Sequence, residues 1–407
     1  MKFNDLNLSD PILRSLKDQN YRKPTPIQAK VIPAVLNNSD IMAAAQTGTG
    51  KTAAFVLPIL TKLSNPKYKY KGHQLRALIV TPTRELAAQV RESVNTYSKY
   101  LSIRSTAVYG GARIHNQRLK LRKGIDILVA TPGRLLDLHN QKSVNLKNIE
   151  ILVLDEADQM LDMGFIHDIK KIASLLPDRR QNLMFTATFS DSFRSLAKNM
   201  VEKAIEISVT NDNETGKNIN HYIHPVDKSR KAELLIELIK TKKWDQALVF
   251  TRTKHGADRL QKQLDRVNIN SKAIHGNKTQ NNRMKALEAF KNNKIQILVA
   301  TDVAARGIDI KRMSQVINFD VPTVAKDYVH RIGRTGRGGD KGEAITLVSA
   351  DEFRLLRDIE KLINTKLERI EIEGFEPVHV VPLIDKQNKK KFHNKKGFKK
   401  RRKSRKG

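Results

Sequence analysis

The sequence contains no cysteine. This absence excludes disulfides, cysteine-ligated zinc, iron–sulfur clusters and thiol catalysis, and it is compatible with a reducing cytoplasm. No run approaches the ~20 apolar residues that are needed to cross a bilayer, so a membrane is not an expected partner. Residues 1–6 have no apolar signal core, so secretion is not expected either. Together these absences predict a cytoplasmic protein.

Acidic residues are few compared with basic ones. There are 42 Asp and Glu against 75 Lys and Arg, which gives a formal net charge of +33. Residues 386–407 contain 13 Lys and Arg and no acid, so the other 385 residues still carry 33 − 13 = +20. An excess of this size favours a polyanionic partner, because neutralised phosphates release their counterions. General solubility, non-specific binding and a membrane surface are the alternatives that charge alone leaves open.

The first half of the chain alternates short apolar runs with helix-like segments. Hydrophobic residues make up 39% of the 407 residues, and this length suits two domains with extensions better than a single core. Helix-like segments such as 84–100 separate the β-branched runs, a pattern that indicates a parallel sheet covered on both faces. The predicted strands are 40–45, 76–81, 125–130, 149–154 and 182–186.

The second half repeats this α/β architecture after a polar stretch that predicts a linker. Its predicted strands are 246–251, 271–275, 295–301, 315–320 and 343–349. Residues 352–366 predict a final helix, and the charge-dense sequence after Pro382 predicts disorder. The predicted organisation is a domain at 1–208, a linker at 209–220, a domain at 221–378 and a disordered basic tail at 379–407.

A glycine-rich loop lies between a predicted strand and a predicted helix. Glycines allow backbone N–H groups to close around phosphate oxygens, and the helix N-terminus favours the anion. Lys51 would then contact the β- and γ-phosphates, and the Thr52 hydroxyl would ligate Mg²⁺. A glycine turn before a helix is the structural alternative. The predicted cofactor-binding loop consists of Ala45, Gln46, Thr47, Gly48, Thr49, Gly50, Lys51 and Thr52.

Two consecutive acids follow the apolar run at 151–154. Acids at the carboxyl end of a buried strand lie where α/β folds bind their ligands. Asp155 would hold Mg²⁺, and Glu156 would orient and polarise the attacking water. An acidic helix start is the alternative, but a P-loop about a hundred residues upstream favours phosphoryl transfer.

These two segments, in this order, resemble the DEAD-box family of RNA helicases. The tetrapeptide Asp-Glu-Ala-Asp at 155–158 is the signature that names the family, and the P-loop matches that of the family. Similar motifs follow one another from Phe3 to about Val348. The resemblance implies two tandem RecA-like domains, ATP and Mg²⁺ as cofactors, and RNA as the partner.

The resemblance also assigns an adenine-binding segment. Residues 21–28 are similar to the Q motif, in which Gln28 would hydrogen-bond the adenine edge and Tyr21 would pack on the base. Phe3 is similar to the isolated upstream aromatic of this motif, and an ordinary core phenylalanine is the alternative.

Further segments resemble the RNA-contacting motifs of the family. Taken singly, each is explained as a helix cap or a turn. In order, they predict loops that contact sugar and phosphate without reading base identity. The implied RNA-contacting residues are Pro82, Thr83, Arg84, Gly110, Gly111, Thr131, Pro132, Gly133 and Arg134 in the first domain, and Thr253, Arg283, Thr301 and Gly307 in the second.

The second domain would complete the ATP site. By resemblance, Asp309 faces the ribose hydroxyls, and Arg334 and Arg337 are arginine fingers on the γ-phosphate, a task that suits a planar and permanently charged donor. A flexible basic loop is the alternative for this arginine- and glycine-rich run. The residues implied to couple the hydrolysis site to RNA separation across the domains are Asp158, Thr186, Thr188 and His330.

A site divided between two domains implies that hydrolysis needs domain closure, with ATP and RNA binding coupled reciprocally. By resemblance, the expected activity is local, non-processive separation of RNA duplexes. The expected partners are duplex and single-stranded rRNA or mRNA, in ribosomal precursors or the RNA-decay machinery. The pattern from His330 to 374–377 resembles bacterial RhlE-type members. A DNA-directed translocase and a non-cycling RNA clamp or assembly factor are the rival functions.

Overall fold

The chain folds around two β-sheets, one in each half of the sequence. The computed structural model describes residues 1–45, 48–65, 73–201, 203–209, 219–305, 313–336 and 342–379. Every strand pairing among these residues is parallel. No helix in the described part of the chain is both long enough and apolar enough to span a membrane.

The first half contains a seven-stranded sheet within the described residues. Its strands are β1 (Asp40–Ala45), β2 (Ala77–Val80), β3 (Ser105–Val108), β4 (Ile127–Ala130), β5 (Ile151–Leu154), β6 (Gln181–Thr186) and β7 (Ala204–Val209). After a 3-10 turn at Phe3–Leu6, the helices are α1 (Asp10–Asp18), α2 (Pro26–Leu36), α3 (Lys51–Leu63), α4 (Arg84–Tyr97), α5 (Ile114–Arg122), α6 (Pro132–Asn140), α7 (Ala157–Asp162), α8 (Ile166–Ser174) and α9 (Asp191–Lys198).

Helices cover both faces of this sheet, whose strand order is β3-β4-β2-β5-β6-β1-β7. One apolar layer joins the sheet to α2, α3 and α4, and a second joins its other face to α6, α7, α8 and α9. Strands β2, β4 and β5 are therefore buried along their whole length. This explains why their sequences are continuous apolar runs without polar alternation.

The second half repeats the same topology. Its strands are β8 (Ile219–Pro225), β9 (Ala247–Thr251), β10 (Ser271–Ile274), β11 (Ile297–Thr301), β12 (Gln315–Asn318), β13 (Gly342–Val348) and β14 (Glu368–Arg369). The helices are α10 (Lys231–Thr241), α11 (Lys254–Arg266), α12 (Gln280–Lys291), α13 (Asp302–Ala305), α14 (Ala325–Ile332) and α15 (Phe353–Ile363), with 3-10 turns at Lys228–Arg230 and Ala350–Glu352. The order β10-β11-β9-β12-β13-β8-β14 matches the first sheet strand for strand, with β8 in the place of β1. Both halves therefore have the predicted RecA-like architecture.

The ten predicted strands are confirmed, with boundaries that differ by at most two residues. The helix predicted at 84–100 ends at Tyr97. The helix predicted at 352–366 ends at Ile363, because Asn364 adopts a left-handed conformation with φ of 51°. Residues 380–407, most of the predicted tail, lie outside the described residues.

Four strands were not predicted from the sequence. Strands β3 and β7 lie at the edges of the first sheet, where half-buried positions in β3 and exposed positions in β7 interrupt the apolar run. Strand β14 has two residues. The apolar pattern of strand β8 is broken by Asn220 and two histidines. Strand β7 ends at Val209 and strand β8 begins at Ile219, so strands occupy both ends of the range that was predicted as a linker.

The parallel arrangement brings the predicted motifs to common edges. The carboxyl ends of parallel strands meet at one edge of a sheet, which is where α/β folds bind ligands. In the first sheet, the segments that follow β1, β2, β3, β4 and β5 contain the P-loop, the acidic pair and the predicted RNA-contacting residues of that domain.

Candidate active site

Lys51 is the first residue of α3 and lies between two strand ends. Its Nζ donates to Ala45 O of β1 at 2.7 Å and to Thr186 O of β6 at 3.4 Å. The residue is 7% exposed, so the ammonium is held at the carboxyl edge of the sheet and not in solvent. Gln46 and Thr47 of the predicted loop lie outside the described residues.

The P-loop requires glycine at position 50. Gly50 caps α3 with a φ of +91°, a conformation that side chains disfavour. A Cβ at this position would lie 2.4 Å from Gln28 Nε2. The loop therefore depends on glycine both for its turn and for close contact with the predicted adenine-binding segment.

Gln28 links the start of α2 to the P-loop. Its Nε2 donates to Gly50 O at 3.1 Å, and its Oε1 accepts from Thr25 N at 3.0 Å in a capping box. An amide has two N–H donors and two acceptor lone pairs, so one donor and one lone pair remain for an adenine edge. The adenine contact stays a prediction, and the structure adds a contact with the P-loop that the sequence analysis did not include.

Three aromatic side chains form a cluster next to this segment. Tyr21 makes edge-to-face contacts with Phe3 and Tyr97 at ring-centroid distances of 6.3 and 6.1 Å. The hydroxyls of Tyr21 and Tyr97 lie 3.1 Å apart. Phe3 is buried, whereas Tyr21 remains 39% exposed and so retains a ring surface for a ligand. Tyr97 was not predicted as a site residue, because its position in the sequence pattern is the same as that of the other buried residues of α4.

Asp155 and Glu156 follow β5 directly and are 3% and 5% exposed. Burial raises the pKa of Asp155 to about 6, against the opposing positive charge of Lys51. Burial and the charge of Asp155 raise the pKa of Glu156 to about 7, opposed by Lys51 and Arg334. The two buried carboxylates lie side by side, so they need a cation or a proton to neutralise their charge.

The backbone of Glu156 is strained at the N-terminus of α7. Its φ of 55° and ψ of 49° are left-handed, which costs an L-residue about 1–2 kcal/mol. Such strain in a non-glycine residue persists only where the surrounding structure enforces it, and it concentrates at functional sites. Here it fixes the direction of a buried carboxylate that the sequence analysis assigned to the attacking water.

The unpartnered carboxylate of Asp155 fits the chemistry of a magnesium site. Asp155 Oδ1 and Glu156 Oε2 are buried and have no hydrogen-bond partner among the described residues. Carboxylate oxygens of this kind, with a hydroxyl such as that of Thr52, are ligands that Mg²⁺ prefers. The described residues contain no group of three or more His, Asp or Glu that could hold a metal without other ligands.

Asp158 contacts the segment that follows β6. Its Oδ2 accepts from Ala187 N at 2.9 Å, and Thr186 Oγ1 donates to Thr188 O at 2.8 Å within the same segment. The acidic motif and the Thr-Ala-Thr segment are therefore joined, as the coupling hypothesis requires. The coupling itself stays a prediction.

The predicted RNA-contacting loops of the first domain lie next to one another. A Cβ on Gly111 would lie 1.9 Å from Arg84 Nη1, and Gly111 has a φ of +72°, so this glycine makes room for the guanidinium. Arg134 Nη1 donates to Ala112 O at 3.2 Å. Thr83 also caps α4 by accepting from Leu86 N at 3.3 Å, so a structural role and a predicted RNA contact coexist in this loop.

A buried polar contact joins the two domains beside these loops. Glu85 accepts from Gln280 Nε2 at 2.8 Å and pairs with Arg283 Nη2 at 3.0 Å. Glu85 is 1% exposed, and the other two are 7% exposed. Arg283 was predicted to contact RNA; in this structure its Nη2 binds Glu85, whereas its buried Nε has no partner among the described residues. Sequence analysis did not anticipate Glu85.

Glu85→Gln is expected to weaken the coupling between ATP and RNA binding. The change leaves the Arg283 cation buried without its counter-charge, which disfavours the arrangement in which the domains touch. RNA affinity measured with and without a non-hydrolysable ATP analogue should show a loss of coupling of about 10-fold. Glu92→Gln, an exposed change on the same helix, is the matched control. If RNA binding became weaker by the same factor with and without the ATP analogue, Glu85 would instead be assigned to RNA binding alone.

Arg331 organises the strand ends of the second domain and was not predicted from the sequence. Its guanidinium pairs with both carboxylate oxygens of Asp302 at 2.6 and 2.7 Å and donates to Asn318 Oδ1 at 3.1 Å and Asp320 O at 2.8 Å. It is 2% exposed. This bidentate contact fixes α14, the helix that precedes Arg334. Its sequence signal was its place in the segment 330–337, which resembles the last motif of the family but in which only His330, Arg334 and Arg337 were assigned roles.

Arg334 of the second domain lies close enough to the first-domain acids for its charge to act on them. Arg334 is 5% exposed, and its positive charge acts on the pKa of Glu156. Three further predicted residues of the second domain, Gly307, Asp309 and Arg337, lie outside the described residues. Thr301 ends β11 and Thr253 caps α11, so both lie at the carboxyl edge of the second sheet.

Comparison with known proteins identifies the family. A family model for DEAD/DEAH box helicases matches residues 25–207, and one for the helicase conserved C-terminal domain matches residues 230–339. The DEAD-box ATP-dependent RNA helicase RhpA of Helicobacter pylori is 42% identical over 94% of this chain and 76% of its own length. The chain belongs to the DEAD-box ATP-dependent RNA helicases.

Other relatives agree with this assignment. The DEAD-box ATP-dependent RNA helicase CshA of Bacillus cereus is 42% identical over 91% of this chain and 69% of its own length. The structure of S. cerevisiae Dbp5 bound to RNA and ADP BeF3 aligns with a TM-score of 0.79 at 32% identity, over 91% of this chain and 95% of that one. These findings confirm the predicted family, the two RecA-like domains, the use of ATP and the binding of RNA. The protein is thus an RNA-stimulated ATPase that unwinds or remodels RNA.

Proposed function

We propose that this helicase separates RNA duplexes locally and without processive travel, using Mg²⁺ and ATP bound between its domains. The observation that carries the proposal is the division of charged groups between the two sheets. Lys51 and Glu156 follow strands of the first sheet, and Arg334 comes from the second yet acts on the pKa of Glu156. A site that is complete only when two domains meet makes hydrolysis depend on their arrangement.

In the proposed ATP site, the first domain holds the nucleotide. Lys51 and the loop at 45–52 bind the phosphates. Thr52 and Asp155 would hold Mg²⁺, which would supply positive charge to the phosphates. Glu156 accepts a hydrogen bond from the attacking water and aligns it with the γ-phosphate. The raised pKa of Glu156 suits a group that exchanges protons near neutral pH.

The second domain completes this proposed site. Arg334 and Arg337 donate to γ-phosphate oxygens as negative charge shifts in the transition state, and Asp309 binds the ribose. Gln28 and Tyr21 bind adenine from the first domain. Dbp5 of S. cerevisiae, which was solved with RNA and ADP BeF3 bound together, supports simultaneous occupancy of the nucleotide and RNA sites.

A duplex-length series tests the local mode of action. We expect ATP-dependent separation of short RNA duplexes that falls steeply with length, because each cycle would open only the segment that the two domains hold. Strand separation is measured with fluorescent duplexes at saturating ATP, beside ATP hydrolysis in the same mixtures. Single-stranded DNA of the same sequence is the control, and we expect it to stimulate hydrolysis little. Equal rates on short and long duplexes would contradict local action.

We further propose that the basic tail tethers the enzyme to RNA. Residues 386–407 carry 13 Lys and Arg without an acid, so phosphate neutralisation is the interaction they favour. Deletion of 386–407 is expected to lower RNA affinity and to reduce the salt slope by about 0.7 for each lost phosphate contact on a single strand. ATP affinity should stay unchanged, since the predicted ATP site includes no residue of this segment. An unchanged salt slope would exclude the tether.

The physiological role is proposed from the same features. We place the protein in the RhlE-type subgroup, because of the pattern from His330 through α15 to 374–377, and in the cytoplasm. Its RNA would be rRNA or mRNA, in ribosomal precursors or the RNA-decay machinery. Contacts that read backbone and not base edges, as proposed for the loops at 82–84, 110–111 and 131–134, suit an enzyme with many RNA substrates.

A further inference from the structure

A second buried lysine, Lys231, begins α10 in the second domain. Its place in the fold corresponds to that of Lys51. Strand β8 occupies the position in the second sheet that β1 has in the first, and α10 follows β8 as α3 follows β1. Five residues, 46–50, separate β1 from Lys51, and five residues, 226–230, separate β8 from Lys231.

The ammonium of Lys231 is held at one strand end equivalent to one that holds Lys51 and at a second, different one. Lys51 Nζ donates to Thr186 O at the end of β6, and Lys231 Nζ donates at 2.8 Å to Leu347 O of β13, which is the counterpart of β6. Lys231 Nζ also donates at 2.9 Å to Phe319 O, directly after β12, the counterpart of the strand that precedes the acidic pair. The Lys231 side chain is 1% exposed.

The ammonium of Lys231 also donates to a buried carboxylate, that of Glu352. Glu352 Oε2 accepts from Lys231 Nζ at 2.5 Å and from Ser349 N at 3.2 Å. Glu352 Oε1 accepts from Arg252 Nη2 at 2.8 Å and from Val321 N at 3.3 Å. A lysine together with backbone N–H groups is the donor set that a P-loop offers to a phosphate. In the second domain the same kind of donor set surrounds a carboxylate that is 4% exposed.

The loop before Lys231 also lacks the features that admit a nucleotide. The first-domain loop has Gly48 and Gly50 at φ of +89° and +91°. Residues 226–230, Val-Asp-Lys-Ser-Arg, contain no glycine, and the last three form a 3-10 turn. Without glycines, the backbone cannot wrap around a phosphate in the same way.

We propose that Glu352 is an internal anion, which fills in the second domain the position that the first domain leaves open for a nucleotide phosphate. The inference rests on the proposed phosphate-binding role of Lys51. Glu352 closes this position to nucleotide and also fixes the segment after β9, because Arg252 binds Glu352 through its side chain and Asp320 Oδ2 through its N–H at 2.8 Å. The next residue, Thr253, is a predicted RNA contact, so the internal anion positions it.

The test is anion rescue of the full-length Glu352→Ala variant. Removal of the carboxylate leaves a small anion site lined by Lys231, Arg252 and backbone N–H groups. Thermal unfolding is measured without nucleotide in chloride, formate or inorganic phosphate at equal ionic strength. We expect the variant to unfold at a lower temperature than the wild type in chloride and to recover much of that loss in formate or phosphate.

The control is Lys231→Met combined with Glu352→Ala, which removes the buried ammonium from the site but keeps the P-loop. Its anion response reports binding elsewhere on the chain, including the P-loop, and is subtracted. A Glu352→Ala response equal to that of the double variant overturns the proposal. If Glu352→Ala does not fold in chloride, refolding in formate or phosphate decides: a folded variant supports the internal anion, and a chain unfolded in all three overturns it. This readout involves neither ATP turnover nor RNA, so failure of the proposed function remains distinguishable.

Discussion

Glu156→Gln is expected to lower the rate of RNA-stimulated ATP hydrolysis by about 10²- to 10⁴-fold, the usual contribution of a positioned general base. The amide keeps the size of the side chain but cannot carry the negative charge that polarises the water. ATP and RNA should bind with nearly unchanged affinity, because Lys51 and the predicted RNA-contacting loops are intact. Single-turnover hydrolysis and equilibrium binding to labelled ATP and RNA measure the two effects separately.

The same substitution has an expected effect on stability that reports the environment of the carboxylate. The pKa of Glu156 rises from its ordinary value of 4.5 to about 7 in the folded protein. Between these values the folded protein binds more protons than the unfolded chain, so its stability falls as pH rises through this window. Glu156→Gln removes this penalty. At pH 8 and without nucleotide, the unfolding temperature of the variant should therefore equal or exceed that of the wild type. The difference between the two temperatures should shrink towards pH 5.

The control for this position is Glu92→Gln, which changes an exposed glutamate of the first domain. It should leave hydrolysis and the pH dependence of unfolding as they are in the wild type. Normal ATP turnover in Glu156→Gln would remove the assignment of Glu156 to the attacking water. Loss of ATP binding in that variant would place Glu156 in nucleotide binding instead.

Arg334→Ala is expected to have an effect of similar or larger size. An arginine finger contributes about 10³- to 10⁵-fold to phosphoryl transfer, because its charge stabilises the γ-phosphate oxygens in the transition state. RNA-stimulated hydrolysis should fall by this factor, whereas ATP binding, which the first domain dominates, should change little. Pre-steady-state hydrolysis at saturating RNA measures the loss directly.

Arg266→Ala is the matched control, since it removes an exposed arginine of the same domain at the end of α11. It should leave hydrolysis unchanged. If Arg334→Ala weakened RNA binding while hydrolysis at saturating RNA stayed normal, Arg334 would be an RNA contact and not a finger. A lower unfolding temperature shared by both variants would point to general destabilisation.

Much of the fold could be predicted from the sequence because its central strands are buried on both faces. Runs such as 151–154 are continuously apolar, which identifies parallel strands between helices. Strands β3 and β7 could not be found in this way, since each lies at a sheet edge and has positions that are not fully buried. Strand β8 was missed because polar residues within it match the composition of the preceding linker.

The candidate site also contains residues that could be predicted from the sequence and residues that could not. Residue types with fixed spacing, such as Gly50 and Lys51 or Asp155 and Glu156, could be assigned from local sequence because the chemistry of phosphate and Mg²⁺ limits which residues serve. Arg331 could not be assigned, since its partners come from other segments of the second domain that only the fold brings together. Glu85 was missed for the same reason, because its partners lie on α12 of the other domain.

The sequence by itself determined the family, the two α/β domains and most of the residues that would hold ATP. These depend on short motifs and on apolar periodicity, which are local properties of the chain. Only the tertiary structure decided which charges meet: Glu85 with Arg283, Arg331 with Asp302, and Lys231 with Glu352. A buried ion pair between distant segments leaves no local pattern, because each partner alone reads as an ordinary surface charge until packing removes it from water.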